Sequence, residues 1–307
     1  MADGAFLEGV FPILVTPFTD REEIDAPSLD RVVRFMADIG ADGVTILGVL
    51  GESNRLDEAE REALIRTAVS AAAGRIPVIV GTSHRGTLAT RRLSRKAQTL
   101  GAGAVMVAPA REAVPAEDKI LEFYRSVAEG ISIPVVVQDH PASTDVHMPV
   151  PLLLKLVEEI PGVGCIKEEA PPTPPRIAAL VRGMTARRVP VLTGLGALYG
   201  MFDLECGSSG FMTGFAFPEV LIAMVREVRR GRADAAWDLY RRFLPLIVLE
   251  QQPGVGIRKE IYRRRGLIAT ARVRHPGEGV SPAAAEQLGR VLDRILPCED
   301  ITRPLEL

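Results

Sequence analysis

A chain of 307 residues that is 47% hydrophobic and 25% charged, with a net charge of −2, has the balance of a soluble globular protein with a large core. The near-neutral charge argues against a dedicated nucleic-acid surface, no apolar run is long enough to span a bilayer, and the opening eight residues lack the basic and apolar regions of a signal peptide. Three scattered cysteines (Cys165, Cys206, Cys298) are too few for a disulfide framework, and they and the four histidines (84, 140, 147, 275) show no metal-ligand spacing, so a cytoplasmic protein without metal or other cofactor is expected.

In chain order, short β-branched runs alternate with amphipathic stretches of helix length. Strands are expected over 10–15, 44–47, 78–80, 104–107, 135–137, 163–166, 191–193 and 210–213. Between and after them, helices are expected over 28–39, 58–73, 88–100, 117–129, 150–159, 175–182, 197–205 and 218–229. Boundary chemistry supports several of these: Pro27-Ser28 stands before the first helix and Gly40 after it, Asp57 can cap the second, and Gly74 and Gly101 close the second and third. Eight such units with nearly continuous apolar strands predict an α/β fold, a closed (β/α)8 TIM barrel with helices outside. The alternative, an open doubly wound sheet, usually carries a glycine-rich turn after its first strand, and Thr16-Pro17-Phe18-Thr19-Asp20 stands there instead.

The alternation stops after the eighth helix. Three further helices are expected over 233–248, 254–266 and 281–296, giving a barrel over 1–230 and a C-terminal helical extension over 231–307 that packs on the barrel or on a neighbouring subunit. Pro171-Pro172-Thr173-Pro174-Pro175 reads as a stiff loop, and Arg263-Arg264-Arg265 as a solvated helix end.

Only five of the 37 basic residues are lysines: Lys96, Lys119, Lys155, Lys167 and Lys259. A lysine closing the apolar run Val163-Gly164-Cys165-Ile166 therefore points to amine chemistry, because an amine can shed its proton and attack a carbonyl while a guanidinium cannot. The bland alternative is a solvated stem with its charge in water. In a barrel, however, chemistry sits at the carboxyl ends of the strands, and Lys167 lies at one of them. Burial there disfavours the ammonium, and a neutral amine can form a Schiff base with a 2-keto acid. The other strand ends are Gly48-Val49-Leu50-Gly51-Glu52-Ser53, Gly81-Thr82-Ser83-His84-Arg85, Pro109-Ala110-Arg111, Gln138-Asp139-His140-Pro141 and Gly194-Leu195-Gly196.

With Gly-x-x-Gly-Glu after strand two, Pro109 after strand four, Pro141 after strand five and Ile166-Lys167-Glu168 closing strand six, the chain resembles the dihydrodipicolinate synthase/N-acetylneuraminate lyase family along nearly its whole length. The resemblance implies a class I Schiff-base lyase with Lys167 as the Schiff-base lysine, and usually a homotetramer. It also implies that the backbone N–H groups around Val49 and Leu50 hold the substrate carboxylate, that Met212 lines the keto-acid pocket, and that Gly194 keeps room beside it. Departures narrow the substrate. The family's Gly-Thr-Thr-Gly-Glu or Gly-Ser-Thr-Gly-Glu becomes Gly48-Val49-Leu50-Gly51-Glu52, and its Tyr-Asn-x-Pro becomes Gln138-Asp139-His140-Pro141. The tyrosine pair after strand four is replaced by Ala110-Arg111, and the arginine that a true synthase uses for its second substrate falls at Ser143. These losses argue against dihydrodipicolinate synthesis. Gln138-Asp139-x-Pro141-Ala142-Ser143, Thr82-Ser83-His84 and Arg274-His275-Pro276 are similar to the L-2-keto-3-deoxyarabonate dehydratase branch, whereas Gln251-Gln252-Pro253-Gly254 matches it only in part.

Gln138 is then expected to hold a substrate hydroxyl or a water beside the iminium, and Asp139 or His84 to bind substrate or move a proton. Arg111 and Glu52 read as structural, and Cys165 as barrel packing. The expected activity is dehydration of a 2-keto-3-deoxy sugar acid by a homo-oligomer, a tetramer or dimer. A pyruvate-dependent aldolase, a synthase-type condensation and a non-catalytic keto-acid-binding barrel remain alternatives, with no nucleic-acid or membrane partner in any of them.

Overall fold

In the computed structural model, residues 6–112, 116–252 and 254–307 are described. Residues 1–5 of the opening stretch, read above as lacking the features of a signal peptide, and Pro253 of the Gln251-Gln252-Pro253-Gly254 segment lie outside them. Eight parallel strands form one curled sheet: β1 (Gly9–Val10), β2 (Val44–Ile46), β3 (Val78–Gly81), β4 (Ala104–Val107), β5 (Val135–Asp139), β6 (Val163–Glu168), β7 (Val191–Thr193) and β8 (Gly210–Phe211). Their order is β1-β8-β7-β6-β5-β4-β3-β2. A parallel bridge between Ile13 and Thr45 joins the chain just after β1 to β2, with Leu14 N–H donating to Thr45 O at 2.8 Å and Thr45 N–H to Pro12 O at 2.8 Å. The first strand was expected to run unbroken over 10–15; it is shorter because Pro12 has no N–H to contribute to the ladder.

The helices α1 (Ala26–Asp38), α2 (Glu58–Ala72), α3 (Thr87–Thr99), α4 (Glu117–Glu129), α5 (Pro141–Thr144), α6 (Val150–Glu159), α7 (Thr173–Gly183), α8 (Gly200–Glu205) and α9 (Pro218–Arg229) follow the strands; α10 (Ala233–Gln251), α11 (Val255–Arg264) and α12 (Pro282–Ile295) complete the chain. Asp57 caps α2 as expected: it accepts from Glu60 N–H at 2.8 Å, and Glu60 returns the contact to Asp57 N–H at 3.0 Å. Three starts differ from expectation. The cap of α1 is Asp25, with Ser28 inside the helix. The proline run opens α7 rather than a loop, because Pro174 and Pro175 occupy first-turn positions that need no N–H donor. Residues 195–197 form a separate tight turn, and α8 begins only at Gly200.

Side chains alternate across the strands. Val44, Ile46, Val78, Val80, Val105, Val107, Val135, Val137 and Ile166 turn outward into the layer packed by the helices. Leu7, Phe11, Ile13, Ile79, Ala104, Met106, Val136, Cys165, Leu192 and Met212 fill the inner face. Arg265, expected at a solvated helix end, is instead 2% exposed and ion-paired with Glu219 beneath α9. Among the described residues no helix is long and apolar enough to cross a membrane, and no group of three or more His, Cys, Asp or Glu side chains could hold a metal ion.

Several carboxyl groups are buried in the outer layer. Burial, partly offset by Arg176, pushes Asp139 up to about 6. Glu168 is pushed up to about 7 by burial and by Asp139. Burial also raises Glu250 to about 7 and Asp203 to about 6. Such groups hold their protons in the folded chain at a pH where the unfolded chain has released them, so their stabilising effect is complete below about pH 4 and is lost as pH rises through 6–7. His140, whose charged form burial disfavours, acts in the opposite direction, but four carboxyls outweigh one imidazole. Thermal melts should therefore give a midpoint about 5 °C higher at pH 5.5 than at pH 7.5. A midpoint that is flat or rises over that interval contradicts the assignment.

Candidate active site

On β6, Cys165 and Lys167 turn inward while Ile166 and Glu168 turn outward, as strand alternation requires. Lys167 pairs in register with Gln138 of β5 and Leu192 of β7, and it is 1% exposed. It sits on the carboxyl-end side of Cys165, just past the apolar filling of the sheet's inner face. Its Nζ forms an ion pair with Glu169 Oε2 at 2.8 Å. Gln138 Nε2 donates to that same oxygen at 2.8 Å, and Leu195 N–H donates to Glu169 Oε1 at 3.2 Å. One buried carboxylate thus gathers the ends of β5 and β6 and the turn after β7.

Gly194 makes this arrangement possible. A Cβ there would stand 2.1 Å from Glu169 Oε1, so any side chain would displace the carboxylate. The space that Gly194 leaves is occupied by Glu169. Burial alone would raise the Glu169 carboxyl, but the positive charge of Lys167, the neighbouring His140 and the hydrogen bond from Gln138 together hold it below the ordinary glutamate value. It is a carboxylate at neutral pH, 2.8 Å from the amine.

The other sequence-derived candidates divide into two groups. Met212 is fully buried on the inner face with Leu192 and Cys165. Leu50 packs onto the same cluster, and Gly214 admits it: a Cβ at 214 would lie 2.0 Å from Leu50 Cδ1. Val49, in the same tight turn (Val49–Gly51), is 58% exposed, and Thr16 Oγ1 fixes the turn by donating to Gly51 O at 2.6 Å. Gln138, Lys167 and Gly194 therefore meet at Glu169, and Met212 and Leu50 belong to the inner apolar cluster that also holds Cys165 and Leu192.

Asp139 and His84 do not join them. Asp139 is next to inward-facing Gln138 and so faces outward; its Oδ2 accepts from Arg176 of α7 at 2.6 Å. Arg176 also donates to Glu168 Oε1 at 3.1 Å, which makes an outer-layer charge cluster. His84 is exposed and closes its own turn, with Nδ1 accepting from Gly86 N–H at 3.0 Å. Arg111 is exposed and ion-paired with Asp145, as a structural reading requires. Cys165 is fully buried in the inner cluster, and burial pushes its thiol well up, so it is packing and not a nucleophile.

Glu169 is the group that sequence reasoning missed. The signal was available. Two residues along a strand share a face, the relation that placed Cys165 beside Lys167, and Glu169 stands two residues beyond it on the other side.

Comparison with known proteins identifies the family. The model of the Dihydrodipicolinate synthetase family matches residues 6–295. The chain is 38% identical over 295 residues to an L-2-keto-3-deoxyarabonate dehydratase of Azospirillum brasilense, covering 94% of each chain. It is 30% identical over 292 residues to a 4-hydroxy-tetrahydrodipicolinate synthase of Chlorobium luteolum, covering 94% of this chain and 97% of the other. The crystal structure of a dihydrodipicolinate synthase from Rhodopseudomonas palustris superposes with a TM-score of 0.90 at 35% identity, covering 96% of this chain and 99% of that one. A curled eight-stranded parallel sheet, a buried lysine at the carboxyl end of its sixth strand and a family match over nearly the full length lead to one conclusion: this chain belongs to the dihydrodipicolinate synthetase family.

Proposed function

We propose that the chain is a class I Schiff-base dehydratase that removes water from a 2-keto-3-deoxy sugar acid, with Lys167 as the electron sink and Glu169 as the proton carrier. The observation that carries this reading is the Glu169 carboxylate, 2.8 Å from Lys167 Nζ and held by Gln138 and Leu195 N–H. That the chain is a lyase follows from its family and from its similarity to a keto-deoxy-acid dehydratase. The strands and helices of residues 1–230 are read as a (β/α)8 barrel and residues 231–307 as its C-terminal extension. A cytoplasmic homo-oligomer, a tetramer or dimer, is the assembly that goes with this reading.

Glu169 takes the proton that Lys167 must shed before its nitrogen can attack. The nitrogen condenses with C2 of the keto acid, and the oxo oxygen leaves as water with the proton that Glu169 holds, which gives an iminium and returns Glu169 to its carboxylate. The iminium draws electrons from C3, and Glu169 removes a proton there to give an enamine. The enamine expels the C4 hydroxyl, which departs as water with the proton that Glu169 had taken. With a five-carbon substrate, tautomerisation carries the new double bond to the C5 hydroxyl and leaves an aldehyde. Hydrolysis of the iminium restores the amine. One water is lost overall and every carbon is kept. Gln138 has no titratable proton near neutral pH, so it orients Glu169 and the departing hydroxyl and does not relay the proton. The N–H groups of Val49 and Leu50 face the substrate carboxylate, and Met212 with Leu50 forms the apolar floor.

The test is product analysis with five- and six-carbon 2-keto-3-deoxy acids. Loss of one water with all carbons retained is expected. Release of pyruvate would replace the dehydratase reading with the aldolase one. A folded protein that yields neither product and, on borohydride reduction, no adduct would leave only a binding role.

A further inference from the structure

Two of the five lysines are buried, and the site uses only one. Lys96, Lys119 and Lys155 are exposed and make surface ion pairs. Lys259, on α11, is as inaccessible as Lys167. Its Nζ forms an ion pair with Glu52, donates to Arg272 O at 2.6 Å, and lies 4.3 Å from the centre of the Phe18 ring. Burial pulls this ammonium down to about 8 against the opposing pull of Glu52, with Arg55 and Arg274 also lowering it. An ammonium held inside at that cost calls for a reason other than stability, since apolar side chains fill such a space equally well.

Glu52 supplies the reason. It is 2% exposed and stands directly after the Val49–Gly51 turn, with φ 52 and ψ 33, a left-handed conformation uncommon for a residue with a Cβ. Its Oε2 accepts from Arg55 Nη1 at 2.7 Å and from Arg274 N–H at 3.0 Å, while Oε1 faces Lys259. Val49 and Leu50 have apolar side chains, so this turn has no side-chain hydrogen bonds of its own at those two positions. Besides the Thr16 hydroxyl on Gly51 O, its shape is set by the Glu52 carboxylate, anchored to Lys259 of α11 and to the Arg274 N–H beyond that helix.

We propose that Lys259, through its buried ion pair with Glu52, is a positioning residue that holds the turn after β2 in the shape that receives the substrate carboxylate. This rests on the Schiff-base reading above and adds the extension to the working parts of the site. Lys259 touches no reacting atom; it acts on where the Val49 and Leu50 N–H groups point.

The experiment compares pyruvate with methyl pyruvate, which has the same oxo group but no free carboxylate. Wild type and K259M are titrated with each, reduced with borohydride and mass-mapped at Lys167, and thermal melts verify folding. In K259M the pyruvate concentration for half-maximal trapping should rise at least tenfold, while that for methyl pyruvate stays within twofold of wild type. Loss of trapping for both compounds alike, or for neither, overturns the proposal. Should K259M fail to fold because it leaves Glu52 charged and unpaired, K259M/E52Q removes both charges and should give the same split. A wild type with no adduct on Lys167 removes the Schiff-base reading itself, whereas a trapped wild type with an unaltered K259M removes only the positioning role.

Discussion

K167R should fold, form no borohydride-trapped adduct with any 2-keto acid, and lose dehydration by about 10⁴-fold or more, the scale seen when a group that forms the covalent intermediate is removed. Arginine keeps a positive charge beside Glu169, so the electrostatic part of the site survives; what disappears is a nitrogen that can present a lone pair. The substitution therefore separates two roles that lysine combines, counter-ion and nucleophile. Its larger head must fit where the side chain is 2% exposed, so a melt has to accompany the assay. A folded K167R that still turns over would place the electron sink elsewhere and remove the chemical basis of the mechanism.

How much of this was legible without coordinates varies with the range of the interaction. The strands were readable because a parallel sheet covered on both sides needs unbroken apolar runs, and 104–107 and 191–193 fall where expected. Lys167 was readable from local context, a lysine closing a buried strand in an arginine-rich chain. Asp139 and Gln138 show the limit of strand-end reasoning: both end β5, yet one residue of register sends Gln138 inward to Glu169 and Asp139 outward to Arg176. Gly194 was read as keeping room beside the keto-acid pocket, and what fills its space is a carboxylate from the neighbouring strand end, 25 residues back in the chain. The Glu52–Lys259 contact spans most of the chain and leaves no local pattern, because a glycine-flanked glutamate and a helical lysine look the same whether they meet or face solvent.

The proton carrier gives the second large effect. E169Q is close to isosteric, and its amide can still accept from Leu195 N–H, while Gln138 can turn its own amide to present oxygen to the new NH2 group. The variant should still be trapped by borohydride on Lys167, because trapping reads condensation alone, and water can take the single proton that Glu169 would have removed from the amine. Dehydration should fall by about 10²–10⁴-fold, the usual contribution of a positioned general base. Burial raises the Glu169 carboxyl, but Lys167, His140 and Gln138 bring it below the ordinary value. The group is thus already ionised across neutral pH, and the wild-type rate should fall only as pH drops beneath the usual glutamate range. E169Q should lack that acid limb. Retained trapping with a slow second stage separates Glu169 from a merely structural brace, whose loss would impair adduct formation and elimination together. An E169Q enzyme with full turnover would mean that the proton leaves C3 by another route, since among the described residues Glu169 is the carboxylate ion-paired with Lys167 Nζ.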